Sequence, residues 1–329
     1  VILSVVLIII GCDYKPSSFG DFQKIIVFSD SVLYREIQTE LEQTFDQFIY
    51  TPHLERSFIL DLQPLRTFDT YKTRRNLLFV GLLNEDDKVS AFINSSLSEQ
   101  TKQSVTEGRV FEIFKEDLFS TGQTVMFFPG TDIENLKKNL SDRDEIIFNK
   151  LNKFYFKRLE KAMYFKGEQY DLEDYLATKY GWKIRVQHDY ELVKESDDEK
   201  FLWFRRLNPD RNLFILQFPA NKFKDDGQWL YQFRDSLTTV FYEADSIAQE
   251  DTYLQYVDFL GRKAIKLTGV WQNHQHLIGG PFRTYAFTDD TRQYAYIIDL
   301  SVTAPGKRKK TFLDQLEVMA HTFSFVSGK

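Results

Sequence analysis

A single cysteine among 329 residues, Cys12, rules out any internal disulfide, so whatever this chain folds into must be held by packing, hydrogen bonds and ion pairs. The material for packing is plentiful. With 43% hydrophobic residues, including 31 Phe, 17 Tyr and 4 Trp, the composition is that of a folded protein and predicts an aromatic core. The length leaves room for two domains at about 150 residues each. A net charge of −6 argues against a nucleic-acid partner, whose readers usually present a basic surface.

Cys12 also has a distinctive setting. Residues 1–10 are apolar and rich in β-branched side chains, yet a bilayer-spanning helix needs about 20 such residues. Gly11 stands directly before the cysteine, and the polar Asp13-Tyr14-Lys15-Pro16-Ser17-Ser18 follows. The pattern reads as a bacterial lipobox, with residues 1–11 a signal peptide, cleavage before Cys12, and residues 12–20 a lipidated tether. The alternative is a buried strand. Because Val1 is not a Met and no basic segment comes first, the precursor is expected to begin a few residues earlier. At about 0.8 kcal/mol per buried methylene, acyl chains on Cys12 would hold the protein on a membrane. The expected location is the cell envelope, on the outer membrane, with the body facing the periplasm.

Hydrophobic periodicity divides the rest into two halves. In residues 21–165, strands are expected at 24–28, 58–62, 76–83, 110–114 and 124–128. Leu33, Ile37, Leu41 and Phe45 share a helical face, and a polar helix is expected over 88–102. Thr131-Asp132-Ile133-Glu134 has the form of a capping box opening a long helix with Leu136, Leu140, Ile147, Leu151, Phe154 and Leu159 inward; Ser141-Asp142-Arg143-Asp144 offers a second start. In residues 166–329, a helix near 172–179 ends at Gly181. Strands are expected at 182–186, 201–206, 212–218, 263–267, 282–288 and 294–303. Leu230, Phe233, Leu237 and Phe241 mark one helix, and Leu313, Leu316, Ala320 and Phe323 the last. The expected fold class is α+β: two mixed, largely antiparallel sheets with flanking helices, the second sheet with its helices on one face, joined by the long helix.

Several segments of the second half resemble a known family. They are Phe201-Leu202-Trp203-Phe204-Arg205, Thr268-Gly269-Val270-Trp271, Gly279-Gly280-Pro281-Phe282, and Ala304-Pro305-Gly306-Lys307-Arg308-Lys309-Lys310 before Gln315-Leu316-Glu317. Together they resemble the Bacteroidota lipoprotein family called domain of unknown function 4837. Where that family carries Arg-Gly-Leu-Trp-Glu, this chain has Thr268, Val270 and Gln272 around the shared Gly269 and Trp271, and Ile278 replaces a Met before the Gly-Gly-Pro-Phe. The resemblance implies an envelope lipoprotein and brings no catalytic residues with it.

Two segments invite a binding role. The cations Lys307, Arg308, Lys309 and Lys310 precede a helix, so they read either as a solvated turn or, with the free amides there, as a site for phosphate, an anionic lipid or another partner. Gly279-Gly280-Pro281-Phe282 reads as a tight bend, or as the rim of a pocket with Trp271 as a wall. His274 and His276 would share a face of a strand, but no third ligand lies nearby, so a polar loop is the simpler reading. His53, His188 and His321 suggest no role. Glu195-Ser196-Asp197-Asp198-Glu199 lacks the glycine and donor series of a calcium loop and is expected to be a hairpin loop. No nucleophile-elbow, zincin or P-loop pattern occurs, and no cofactor is implied. The leading expectation is a lipid-anchored, non-catalytic binding or assembly module with an envelope protein, lipid or glycan partner. The alternative is an envelope hydrolase built on dispersed residues such as Asp299, Arg205 or His274.

Overall fold

A helix between two strands carries the chain back to the same end of a sheet, so that the strands run parallel, and much of the first half of the chain is built that way. The computed structural model describes residues 15–45, 47–49, 54–241, 245–289, 291 and 293–326, so Cys12, the expected signal segment and His53 lie outside the described residues. In chain order come β1 (Lys24–Phe28), α1 (Ser31–Phe45), β2 (Phe48–Ile49), β3 (Glu55–Arg56), β4 (Ile59–Gln63), α2 (Phe68–Tyr71) and β5 (Asn76–Leu82). Then follow α3 (Lys88–Ser96), α4 (Glu99–Thr106), β6 (Ile113–Glu116), β7 (Thr124–Gly130) and α5 (Ile133–Met163). The chain divides into two compact units. The first takes residues up to 46 and Phe58–Phe154; the second takes Gln47–Ser57, which hold the β2–β3 hairpin, and the chain from Tyr155 onward.

The first unit centres on a sheet of order β4-β1-β5-β7-β6. It is mixed, as expected, but parallel pairs dominate: β1 runs parallel to β4 and β5, and β5 to β7, while only the edge strand β6 is antiparallel. The expected antiparallel bias fails here because strand, helix and strand follow one another, and such crossovers enforce parallel pairing. Strands covered on both faces bury every side chain, as β5 and β7 do. On one face Ile26, Phe28, Leu77, Phe79, Val125 and Phe127 pack with Val89 and Ile93 of α3. The expected stripe of α1 is buried, and its Phe45 stacks on Phe128 at 6.2 Å.

Local capping differs from the sequence pattern in two places. The polar helix over 88–102 breaks at Leu97, and the Ser98 hydroxyl accepts the Thr101 amide to start α4. The capping box at 131–134 slips by one residue. Asp132, not Thr131, accepts the Asn135 amide at 2.8 Å, because its carboxylate competes better than a hydroxyl for the positive helix end. The hydrogen bonds from Asn135 and Thr131 lower its pKa. The helix then runs unbroken through Ser141.

The second unit continues with α6 (Tyr170–Tyr180), β8 (Trp182–Lys183), β9 (Glu191–Ser196), β10 (Phe201–Arg206), β11 (Asp210–Pro219) and α7 (Gly227–Phe241). It ends with β12 (Ser246–Phe259), β13 (Arg262–Asn273), β14 (Ile278–Thr288), β15 (Tyr294–Thr303), α8 (Lys310–Ala320) and β16 (Ser324–Phe325). Gly181 closes α6 at φ 77°, a backbone angle that suits glycine. The strand expected over 182–186 shortens to β8, which pairs with β16. The main sheet is antiparallel throughout, in the order β12-β13-β14-β15-β11-β10-β9.

Its two central strands, β11 and β15, are buried along nearly their whole length, which requires cover on both faces. One helix per face supplies it, rather than both on one. Leu230, Phe233 and Leu237 of α7 pack with Phe201, Phe214, Ile265, Phe282 and Ile297. The alternate residues Arg283 and Tyr285 of β14 instead meet α8.

Candidate functional site

The α7 face of this sheet carries a row of polar side chains where an all-apolar row is the norm. Register sets them together: Arg205 lies opposite Asn212, Asn212 opposite Ser301, and Asp210 opposite Thr303, while Trp271 lies across from Gly280 on the neighbouring pair. They enclose a pocket of about 200 Å³ with Trp203 and Trp271 in its lining and Asp245, Asn273 and His276 beside them. The lining is pinned. Trp203 Nε1 donates to Asn212 Oδ1 at 2.9 Å, and Arg205 holds Asp210 through Nε and Nη2 at 2.9 and 2.8 Å. Asn273 donates to Asp245 at 2.8 Å and accepts the amides of Gln275 and His276 at 3.0 Å each, which fixes the turn at the rim. The Trp271 indole is 4% exposed, and its Nε1 meets no acceptor among the described residues.

Of the expected pocket rim, Trp271 is present and its neighbours are not. Gly279, Gly280, Pro281 and Phe282 lie in β14 rather than in a bend. A side chain at Gly280 would put its Cβ 1.8 Å from the Val302 carbonyl oxygen and 3.3 Å from Trp271 Nε1, so glycine is what lets the indole and the β15 backbone close in. Pro281 lies opposite Val270 of β13, one residue before the β14–β15 ladder begins at Phe282. Trp203, Asn212, Asp245 and Ser301 were not singled out from sequence. The readable signal is polar residues two apart, as in Asp210/Asn212 and Ser301/Thr303, within otherwise apolar strands.

The basic run is not a surface patch. Lys307 is exposed, but Lys309 and Lys310 are buried, and Arg308 Nη2 donates to the Arg56 carbonyl at 2.6 Å. The anion at the start of α8 is internal. Both oxygens of Glu55 accept the Lys309 amide, at 2.8 and 2.9 Å, and Oε2 accepts that of Lys310 at 3.0 Å. Lys310 pairs with Asp314 and sits 4.5 Å from the centre of the Tyr155 ring; burial pushes its pKa down, against the pull of Asp314. Glu55→Ala should therefore lower stability by about 1–2 kcal/mol, since it removes a charged helix cap. Urea unfolding checks this, and an unchanged midpoint would contradict the capping role.

Two further cavities are large enough to serve as sites. One of about 380 Å³ is lined by Phe156, Lys157, Glu160, Glu317, His321 and their neighbours. Of its two carboxylates, Glu317 is committed to Tyr285, Arg283 and Lys266, and Glu160 to Arg185 at 2.7 Å, so both are poor bases. The other, about 530 Å³ and in the first unit, lies where β1 and β4 end beside the starts of α1 and α3. Such an edge often receives phosphate. Here Asp30 and Asp87 already cap the two helices, leaving the buried Ser29 hydroxyl without a partner among the described residues.

The dispersed residues of the hydrolase reading do not form a reactive set. Asp299 is fully buried against Arg234 and Thr284, and Arg205 is engaged by Asp210. His274 and His276 stand in the exposed turn after β13, not in a strand. Glu195 bonds to Tyr175, Lys179 and Tyr180, and the hairpin turn falls at 197–200. His321 is half exposed, with Nδ1 2.9 Å from the Glu317 carbonyl oxygen. Among the described residues no helix is long and apolar enough to cross a membrane.

Residues 169–322 match the family model described as domain of unknown function DUF4837, and residues 18–164 match domain of unknown function DUF8532. The first match agrees with the resemblance read from the Trp203, Trp271 and Gly-Gly-Pro-Phe segments. No curated protein matches the chain. Solved structures share a limited part of it. The Ran-binding protein Mog1p of Saccharomyces cerevisiae is 11% identical over 44% of this chain and 90% of its own, with a TM-score of 0.31. A Bacteroides thetaiotaomicron structure is 13% identical over 45% and 46%, with a TM-score of 0.28. LpqN, involved in cell envelope biogenesis of Mycobacterium tuberculosis, is 12% identical over 44% and 82%, with a TM-score of 0.29.

Proposed function

We propose that this protein, whose residues 169–322 match the DUF4837 family model, is a lipid-anchored, non-catalytic binding module of the cell envelope. The anchor is Cys12 in its lipobox, on the outer membrane, and the binding site is the pocket between Trp203 and Trp271. One observation carries the reading: two indoles flank a polar lining whose side chains are already held by one another. Such a lining can receive a ligand without reorganising, which favours binding. It supplies no nucleophile with a base beside it, which is what a hydrolase needs.

Photo-crosslinking in intact cells tests this. A crosslinking amino acid in place of Leu277, 88% exposed on the rim turn, should capture one envelope component identified by mass spectrometry. The same group at Val193, on β9, should not. Trp203→Ala should abolish the product, and Cys12→Ala should move the protein from the membrane to the soluble fraction. Equal products from both positions, or a membrane-bound Cys12→Ala protein, would overturn the respective half of the proposal.

A further inference from the structure

The first unit has a crevice of its own. Its neighbouring parallel strands β1 and β5 send the chain opposite ways: β1 leads through α1 to β4 on one side, and β5 leads through α3 toward β7 on the other. The two helices also take opposite faces. α3 packs with Phe28, Phe79 and Phe127, while Phe45 of α1 stacks on Phe128, whose side chain points the other way. Connections that diverge like this leave a gap beyond the carboxyl ends of the strands, which is where open parallel sheets bind their ligands. The cavity of about 530 Å³ lies there, within the roughly 300–1,000 Å³ of small-molecule sites.

Its remaining polar capacity is of one kind. Asp30 Oδ1 accepts the amides of Val32 and Leu33, and Asp87 Oδ1 those of Val89 and Ser90, so the helix starts are occupied. Ser29, in the cavity wall directly after β1, is 6% exposed, and its hydroxyl has no partner among the described residues. A buried hydroxyl left unbonded is rare in a folded chain and calls for an acceptor from outside. Arg66 and Lys88 line the same cavity, exposed at its rim, and neither forms an ion pair among the described residues. These two cations, with about half a positive charge at each helix start, outweigh the two capping carboxylates and favour an anion. Pro64 and Leu65 give the cavity an apolar wall as well, which a bare ion would leave unused.

We infer that this crevice takes a phosphate monoester of nucleotide size or smaller, its phosphate on Ser29 Oγ, Arg66 and Lys88 and its organic part against Pro64 and Leu65. Donors from three separate segments suit the three terminal oxygens of a monoester better than the two of a carboxylate. The site belongs to the first unit and is independent of the pocket lined by Trp203 and Trp271.

Calorimetry on the whole chain tests this, with glycerol phosphate, adenosine monophosphate and inorganic phosphate as probes and glycerol and adenosine as phosphate-free controls. At least one ester should bind saturably, neither control should, and inorganic phosphate should compete with the ester. Joint replacement Arg66→Gln and Lys88→Gln should weaken the ester by about tenfold or more, as loss of charged hydrogen-bond donors does. Ser29→Ala should weaken it by about threefold or more yet leave the urea midpoint unchanged or higher, because the hydroxyl it removes bonds nothing in the protein. Circular dichroism confirms that each variant folds. Failure of both esters, equal binding by the controls, or affinity indifferent to the Arg66 and Lys88 change would overturn the proposal. So would displacement of the ester by phosphatidylglycerol vesicles, since a lipid diester has only two free phosphate oxygens. Unchanged affinity with a lowered midpoint in Ser29→Ala would show the hydroxyl to be structural and remove the observation on which the site rests.

Discussion

Replacing Glu317 with alanine is expected to destabilise the second unit by about 3–5 kcal/mol, the range for stripping one partner from a buried ion pair. Glu317 belongs to the buried face of α8 and is 7% exposed. It accepts the Tyr285 hydroxyl, Arg283 Nη1 at 3.1 Å and Lys266 Nζ at 3.5 Å, while Arg283 also reaches Asp314 at 3.2 Å. Without Glu317, two half-buried cations lose their main counter-charge, and burial already pushes the Lys266 pKa down. Burial opposes ionisation of Glu317 too, but Lys266, Arg283, His321 and the Tyr285 hydroxyl outweigh it and hold its pKa at about 2. A carboxyl depressed in the folded state stabilises above its unfolded pKa, near 4.5, and loses that contribution as pH falls toward 2. The gap between wild type and Glu317→Ala in urea unfolding should thus be full at pH 7 and shrink between about pH 4.5 and 2. A gap that does not change with pH would refute the electrostatic account.

On the opposite face, Arg234→Met should also cost about 3–5 kcal/mol, whereas joining it to Asp299→Leu should recover much of the loss. The pair is buried as deeply as Asp314 beside Glu317: Arg234 is 1% exposed and Asp299 not at all. Arg234 Nε meets Asp299 Oδ1 at 2.8 Å, Thr284 donates to the same oxygen, and the guanidinium lies 3.7 Å from the centre of the Phe282 ring. Arg234 Nη1 is buried with no acceptor among the described residues, so the arrangement already carries an unsatisfied group. Removing both charges removes that cost together with the attraction. A double-mutant cycle by chemical denaturation measures the coupling. Strictly additive losses would show that the two side chains act through packing alone.

These buried charges lay outside what periodicity can read. Apolar spacing made β1, β15 and the inward stripes of α1 and α8 legible, because each depends on neighbours within one element. β12 was missed. As an edge strand it leaves Tyr253, Leu254 and Tyr256 partly exposed, and an irregularity between Ala248 and Tyr253 breaks its alternation. Glu55 could not be foreseen as the cap of α8, since the contact spans 254 residues. The pocket was half legible. Trp271 stood out beside Gly279-Gly280, but its companions come from β10, β11 and β15, and only the strand order of the finished sheet brings them to it.

The placement of the β2–β3 hairpin means that the second unit is not a continuous stretch of sequence. Its helix cap and two of its strands are encoded inside the first unit's span, between α1 and β4. No single cut between α1 and α6 therefore leaves one complete unit on each side. Gene fusions or truncations that treat residues 166–329 as a portable cassette would carry α8 without the carboxylate that closes its first turn.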